Sequence, residues 1–248
     1  MLAQRRFRPT LAGTLAALAV LPAFVSLGVW QLNRAEEKRS LAQQFTDGAH
    51  GHRMLTTDNI LQLTLLQQVT VSGRFDASRQ VLLDNIPASK EASGFARPGY
   101  RVLTPLLIDG GALVLVDRGW APMGRTRQEL PDLAVNDNTR TLQGRLAELP
   151  RPAMRVGELS LGSQWPRVLN YPKLTELREL YGATLWPRIV LMDETEPDGF
   201  RRDWSTRYSV KEFGPEKHIG YAVQWFGMAV AVVVIYIVLS LRRVEPSA

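Results

Sequence analysis

His218 offers the most chemistry in this 248-residue chain. At 100° per residue, His218, Ala222, Trp225 and Ala229 fall on one narrow helix face, with Tyr221 beside it. An imidazole, small side chains that admit close approach, and aromatic rings suit a flat apolar macrocycle carrying a metal. Imidazole is a common axial ligand of haem iron. His218 is thus the candidate metal ligand, with Tyr221 and Trp225 as candidate cofactor contacts. The same residues have a simpler reading. Interfacial His, Tyr and Trp anchor helices in membranes, and small residues pack helix against helix. Residue pattern alone favours anchoring. Gln224 lies off this face, where it can bond Gln31 or another helix as structural glue.

Other candidates are weaker. His50-Gly51-His52 has two imidazoles but no nearby carboxylate cluster, too few ligands for a metal centre. Asp117-Arg118-Gly119-Trp120 can form a recognition surface; the plainer expectation is an Asp–Arg surface pair with a core tryptophan at a turn. Met54, Met123, Met154 and Met192 lack any spacing for copper capture. Cysteine is absent. That removes disulfides, thiolate zinc, iron–sulfur clusters and cysteine nucleophiles together. No GxSxG, HExxH, P-loop or GxGxxG occurs, and no residue set nominates a catalytic acid and base. The expectation is a protein that is not an enzyme.

The elements that position His218 are two apolar runs. Leu11 to Val29 carries no charge, and nineteen residues at helical rise reach about 29 Å, close to a bilayer's hydrocarbon thickness. Ile219 to Leu241 is also uncharged and reaches about 34 Å. Both read as transmembrane helices. A cleaved signal peptide is the rival for the first, with Arg5, Arg6 and Arg8 as its basic start and Ala17-Leu18-Ala19 as its cleavage site. The apolar run continues ten residues further, which favours a retained anchor. Arg5, Arg6 and Arg8 precede the first run; Arg242 and Arg243 stand against Glu245 after the second. Positive short tails stay in the cytoplasm. The expected organisation is therefore a cytoplasmic tail over 1–10, a helix over 11–32, an external domain over 33–217, a second helix over 218–241 and a cytoplasmic tail over 242–248. The 25 basic and 23 acidic residues of the external part nearly balance, which gives no case for nucleic-acid binding.

Within that domain, residues 33–44 continue the first helix and residues 45–59 read as loop. Strands are expected over Gln68–Phe75, Gln80–Asn85, Tyr100–Ile108, Ala112–Trp120, Arg140–Glu148 and Arg188–Glu194, with a hairpin turn at Asp109-Gly110-Gly111. Lys173–Tyr181 forms an amphipathic helix with Leu174, Leu177, Leu180 and Tyr181 on one face. The fold class is a membrane protein whose two helices flank a mostly antiparallel β domain, α+β and barrel-like. Val71-Ser72-Gly73-Arg74-Phe75 is echoed by Leu142-Gln143-Gly144-Arg145-Leu146. Two related half-barrels would produce this echo, and so would ordinary strand composition.

An ordered set of short motifs resembles the Surfeit-locus family of cytochrome c oxidase assembly factors. Gly28-Val29-Trp30-Gln31-Leu32-Asn33-Arg34 resembles the family's GxWQxxR segment. Gly73-Arg74-Phe75, Thr104-Pro105-Leu106 and Val116-Asp117-Arg118-Gly119-Trp120-Ala121-Pro122 resemble its strand signatures. His218-Ile219-Gly220-Tyr221-Ala222-Val223-Gln224-Trp225-Phe226 is similar to its HxxYAxQWF motif. The resemblance implies a role in maturing haem–copper oxidase, by transient binding of haem a at His218 and its delivery to the oxidase's largest subunit. It implies that subunit and haem A synthase as partners, beside the lipid bilayer. The short N-terminal tail lacks a transit peptide, which fits a bacterial inner-membrane member with a periplasmic domain. A structural tether for oxidase intermediates, without haem contact, is the alternative. The family has Asn two residues before the histidine, where this chain has Glu216.

Overall fold

The computed structural model describes residues 5–84, 98–127, 129–150, 164–208 and 214–243; Met154 and Glu245 lie outside them. In chain order the elements are β1 (Arg5–Phe7), α1 (Leu11–Asp47), β2 (Arg53–Met54), β3 (Gln68–Phe75), β4 (Val81–Leu83), β5 (Gly99–Ile108), β6 (Leu113–Pro122), β7 (Arg140–Ala147), β8 (Arg167–Leu169), α2 (Leu174–Tyr181), β9 (Leu185–Met192), α3 (Trp204–Tyr208), α4 (Pro215–Ser240) and β10 (Leu241–Arg243). They form two compact units. One holds residues 1–42 and 208–248, the other residues 43–207.

The first unit is built on α1 and α4, both long and apolar enough to cross a membrane. Leu15, Leu18, Val230 and Leu239 are all exposed, although polar solvent would disfavour them. A lipid surround accommodates such side chains without penalty. The helices touch along their length in antiparallel order. Thr14 Oγ1 lies 2.9 Å from Tyr236 Oη, the Phe24 and Trp225 rings stand 5.6 Å apart, and Phe226 occupies the space a side chain at Gly28 would need. At the other end β1 pairs antiparallel with β10, Arg5 opposite Arg243 and Phe7 opposite Leu241. Arg8 N–H donates to the Ser240 carbonyl at 2.7 Å, and Phe7 meets the Tyr236 ring edge-on.

The second unit is a β-rich domain with a closed five-strand barrel. β3 pairs antiparallel with β7 and β7 with β9; β9 runs parallel to β6, β6 antiparallel to β5, and β5 returns to β3. β4 adds to β5 and β8 to β4, while β2 lies parallel to β3. β3 alternates as its sequence predicts: Val69, Val71 and Phe75 point into the core with Leu106, Val114, Leu142 and Val190, while Ser72 faces out to Thr141. β5 and β6 are buried on both faces almost throughout, so their apolar runs are continuous. In α2, Leu177 and Tyr181 are the buried residues and Leu174 and Leu180 lie half-buried beside them.

The strands named from the sequence are all present, with ends moved by a few residues. The two echoed segments lie in β3 and β7, which pair with each other. In each the glycine marks a close approach of the next strand, Gly73 beneath the Leu107 carbonyl and Gly144 beneath that of Leu191. Residues 45–59 are not wholly loop: α1 runs on to Asp47 and Arg53–Met54 pairs with β3. β8, α3 and the β1–β10 pair were not expected from the sequence.

Candidate functional site

The second long helix starts three residues before His218, at Pro215, so that His218 lies in its first turn. Gly214 and then Pro215 at the first helical position start α4, because proline lacks an N–H that would go unused there and its φ suits a helix. Glu216 follows in the same turn, exposed, where the positive end of the helix favours a carboxylate. That gives the residue a structural reason at the position where the family carries Asn.

His218, Ala222 and Ala229 are buried, with Trp225 half-buried on the same side. The narrow face read from the sequence is real, and it takes part in the α1–α4 contact. Trp225 packs on Phe24, and His218 Nδ1 lies 2.7 Å from Gln31 Oε1. Gln31 was one of the partners open to Gln224 from the sequence, the other being another helix. Gln224 is nearly two turns further along α4 and exposed, whereas Gln31 and His218 stand level at one end of the helix pair. Tyr221 is 45% exposed, on the accessible side of α4. On α1 the residues one and two turns beyond Gln31 on its face are Arg34, Ala35 and Lys38; Ala35 is buried and the two cations are half-buried.

The chemistry of this arrangement follows from its donors and acceptors. An amide oxygen only accepts, so the imidazole nitrogen facing it carries the proton. The neutral ring then presents its lone pair at Nε2, the form in which histidine ligates a metal. A metal-bound histidine ordinarily donates its second nitrogen to a carbonyl or carboxylate in this way. The donor set at His218 would suit a ligand of haem iron through Nε2, an atom that is itself buried. Ala222 and Ala229, buried beside Trp225, give a macrocycle no open face; Tyr221 is the aromatic side chain that does.

His50 and His52 are exposed, and among the described residues no group of three or more His, Asp and Glu is placed to hold a metal ion.

The Asp117-Arg118 expectation is overturned. Both residues are fully buried and they do not pair with each other. Asp117 is bound by the Arg101 guanidinium, which also lies over the Trp204 ring at 4.6 Å, and its other oxygen accepts the Gly119 N–H at 3.0 Å. Arg118 points the opposite way, as neighbours in a strand must. Its guanidinium donates to the carbonyls of Leu133, Ala134 and Asp198 and to Gln80 Oε1. Thr104 Oγ1 donates to the same Gln80 oxygen at 2.7 Å. Two motif segments, Thr104-Pro105-Leu106 and Arg118-Gly119-Trp120, thus meet at one buried polar hub. Burial pushes the Arg118 guanidinium down to about 10, against the opposing pull of Asp198. Gly119 has φ +107°, and a side chain there would strike the carbonyls of Phe200 and Arg201. Trp120 is half-buried and bonds backbone to backbone with Arg201. This cluster holds loops onto the barrel; it is not a recognition surface.

A family model described as the SURF1 family matches residues 18–230. The chain is 27% identical over 244 residues to Surfeit locus protein 1 of Xenopus tropicalis, covering 92% of this chain and 76% of that protein. It is 25% identical over 230 residues to a SURF1-like protein of Rickettsia bellii, covering 90% and 88%. A shorter match, 34% identical over 118 residues, joins 42% of this chain to 33% of Surfeit locus protein 1 of Arabidopsis thaliana.

Proposed function

The chain belongs to the SURF1 family, a family of oxidase assembly factors, and from that footing we propose that it binds haem a transiently and helps insert it into the largest subunit of cytochrome c oxidase. The observation that carries the haem reading is the 2.7 Å pairing of His218 with Gln31, which leaves Nε2 as the ligating nitrogen. His218 would hold the iron, Tyr221 would meet the macrocycle from the accessible side of α4, and Trp225 would back the histidine through its contact with Phe24. Arg34 and Lys38 offer positive charge to the haem propionates. The bound iron porphyrin supplies the cargo and no reaction; the protein acts as a chaperone and not as an enzyme.

α1 and α4 cross the inner membrane with residues 1–10 and 242–248 in the cytoplasm, and the barrel stands in the periplasm. The arginines of both tails support this orientation. Haem A synthase and the largest oxidase subunit are the partners this role requires.

The test is purification from cells that make haem a, with visible spectra of the wild type and His218→Ala. A haem band in the wild type that is lost or displaced in the variant is expected. Wild-type protein without haem, or an unchanged spectrum in the variant, overturns the ligand assignment. Oxidase subunits that co-purify through His218→Ala, with no haem signal, favour a structural tether.

A further inference from the structure

We propose that Gln31 is the positioning residue for His218: its amide oxygen holds the imidazole in the Nδ1–H tautomer, so that the buried Nε2 carries the lone pair a metal would take. The inference rests on the reading of His218 as a haem ligand. It comes from one contact between residues 187 apart in sequence and on different helices, Nδ1 to Oε1 at 2.7 Å. Three features make this contact specific. Gln31 Oε1 has no proton to give, so the bond admits one tautomer of the neutral ring. His218 is buried at the end of the helix pair, where water does not compete for Nδ1. Packing on either side of the contact holds the two helices together. Phe226 fills the space at Gly28 one turn before Gln31, and Ala35 is buried one turn after it. Trp225, two turns beyond His218, is held by Phe24. An acceptor on Nδ1–H also raises the electron density at Nε2, so Gln31 tunes the ligand as well as aiming it.

The experiment uses the full chain in lipid nanodiscs with ¹⁵N-labelled histidine, and compares the wild type, Gln31→Leu and Gln31→Glu, each with and without added haem. Nitrogen spectra of the haem-free protein read the His218 tautomer directly. The Nδ1–H form is expected in the wild type and in Gln31→Glu, which keeps an acceptor, and a mixture of both tautomers in Gln31→Leu. With haem, Gln31→Leu should lose affinity by about 10- to 100-fold, the usual effect of removing a hydrogen-bond partner behind a metal ligand. Gln31→Glu should retain haem with a reduction potential shifted negative, since an anionic acceptor makes the imidazole a stronger donor. A wild-type Nε2–H tautomer overturns the proposal. So does a Gln31→Glu protein whose stability is normal and whose potential does not move, because helix packing alone would explain it. If the wild type takes up no haem, the His218 assignment fails by itself, and the tautomer spectra still decide whether Gln31 sets the ring.

Discussion

At the scale of single residues, buried charge is the dominant theme. Arg101 and Asp117 are 3% and 0% exposed, and each is compensated only by close neighbours. Removing one member of such a pair strands the other in a medium that solvates charge poorly, at a cost of about 3–5 kcal/mol. Arg101→Ala is therefore expected to lower stability by that amount, read by denaturant unfolding of the detergent-solubilised protein. Arg101→Leu with Asp117→Leu should recover most of the loss, because both charges are then gone. Equal destabilisation of the two variants would show that the guanidinium's packing on Trp204, and not the charge pair, carries the effect. These residues also mark where sequence reasoning stops. Arginine and aspartate are normally surface residues, so the Asp117-Arg118 pair reads as exposed. Only the fold shows that Gln80, Leu133, Ala134 and Asp198 converge on Arg118. His218 was legible as the residue of interest, from its place beside an apolar run. Its partner was not, because nothing local links position 31 to position 218.

At the scale of elements, closure of the barrel depends on two glycines. A side chain at Gly144 would press on the Leu191 carbonyl and on Val190 Cγ1, and one at Gly73 on the Leu107 carbonyl. Backbone cannot retreat there without breaking the pairing of β7 with β9 or β3 with β5. Gly144→Val is expected to cost at least the 1–3 kcal/mol typical of overpacking, measured as a lower unfolding midpoint. Gly220→Ala, where nothing lies within 4 Å of the new methyl, should leave the midpoint unchanged or raise it. The long strands were legible because β-branched and apolar residues recur with period two, or run continuously where both faces are covered. β2 and β8 are two and three residues long, too short for any period to show. β1 and β10 are rich in arginine, a composition that gives no strand signal.

At the scale of the whole molecule, the question is which side of the membrane each part occupies. The chain has no cysteine, so single-cysteine labelling is free of background. Asp109, exposed at the β5–β6 turn, and Arg8, exposed between β1 and α1, are suitable sites. In cells with a permeabilised outer membrane, Asp109→Cys should react with an impermeant maleimide and Arg8→Cys should react only after the inner membrane is broken. The reverse pattern would place the barrel in the cytosol and remove the proposed role. The overall plan, two apolar helices either side of a β domain, was plain from hydropathy, because lipid imposes a length and a polarity that few other settings demand.

The β1–β10 pair has a consequence for biogenesis. Residues 5–7 are synthesised well before residues 241–243, the strand that receives them. Until residues 241–243 are in place, the early segment has no hydrogen-bonding partner among the described strands. The helix pair is then joined at one end by the Arg8–Ser240 bond and at the other by Gln31–His218. A chain truncated just short of residue 241 would keep every residue proposed to touch haem and still lose the clasp that brings its two ends into register.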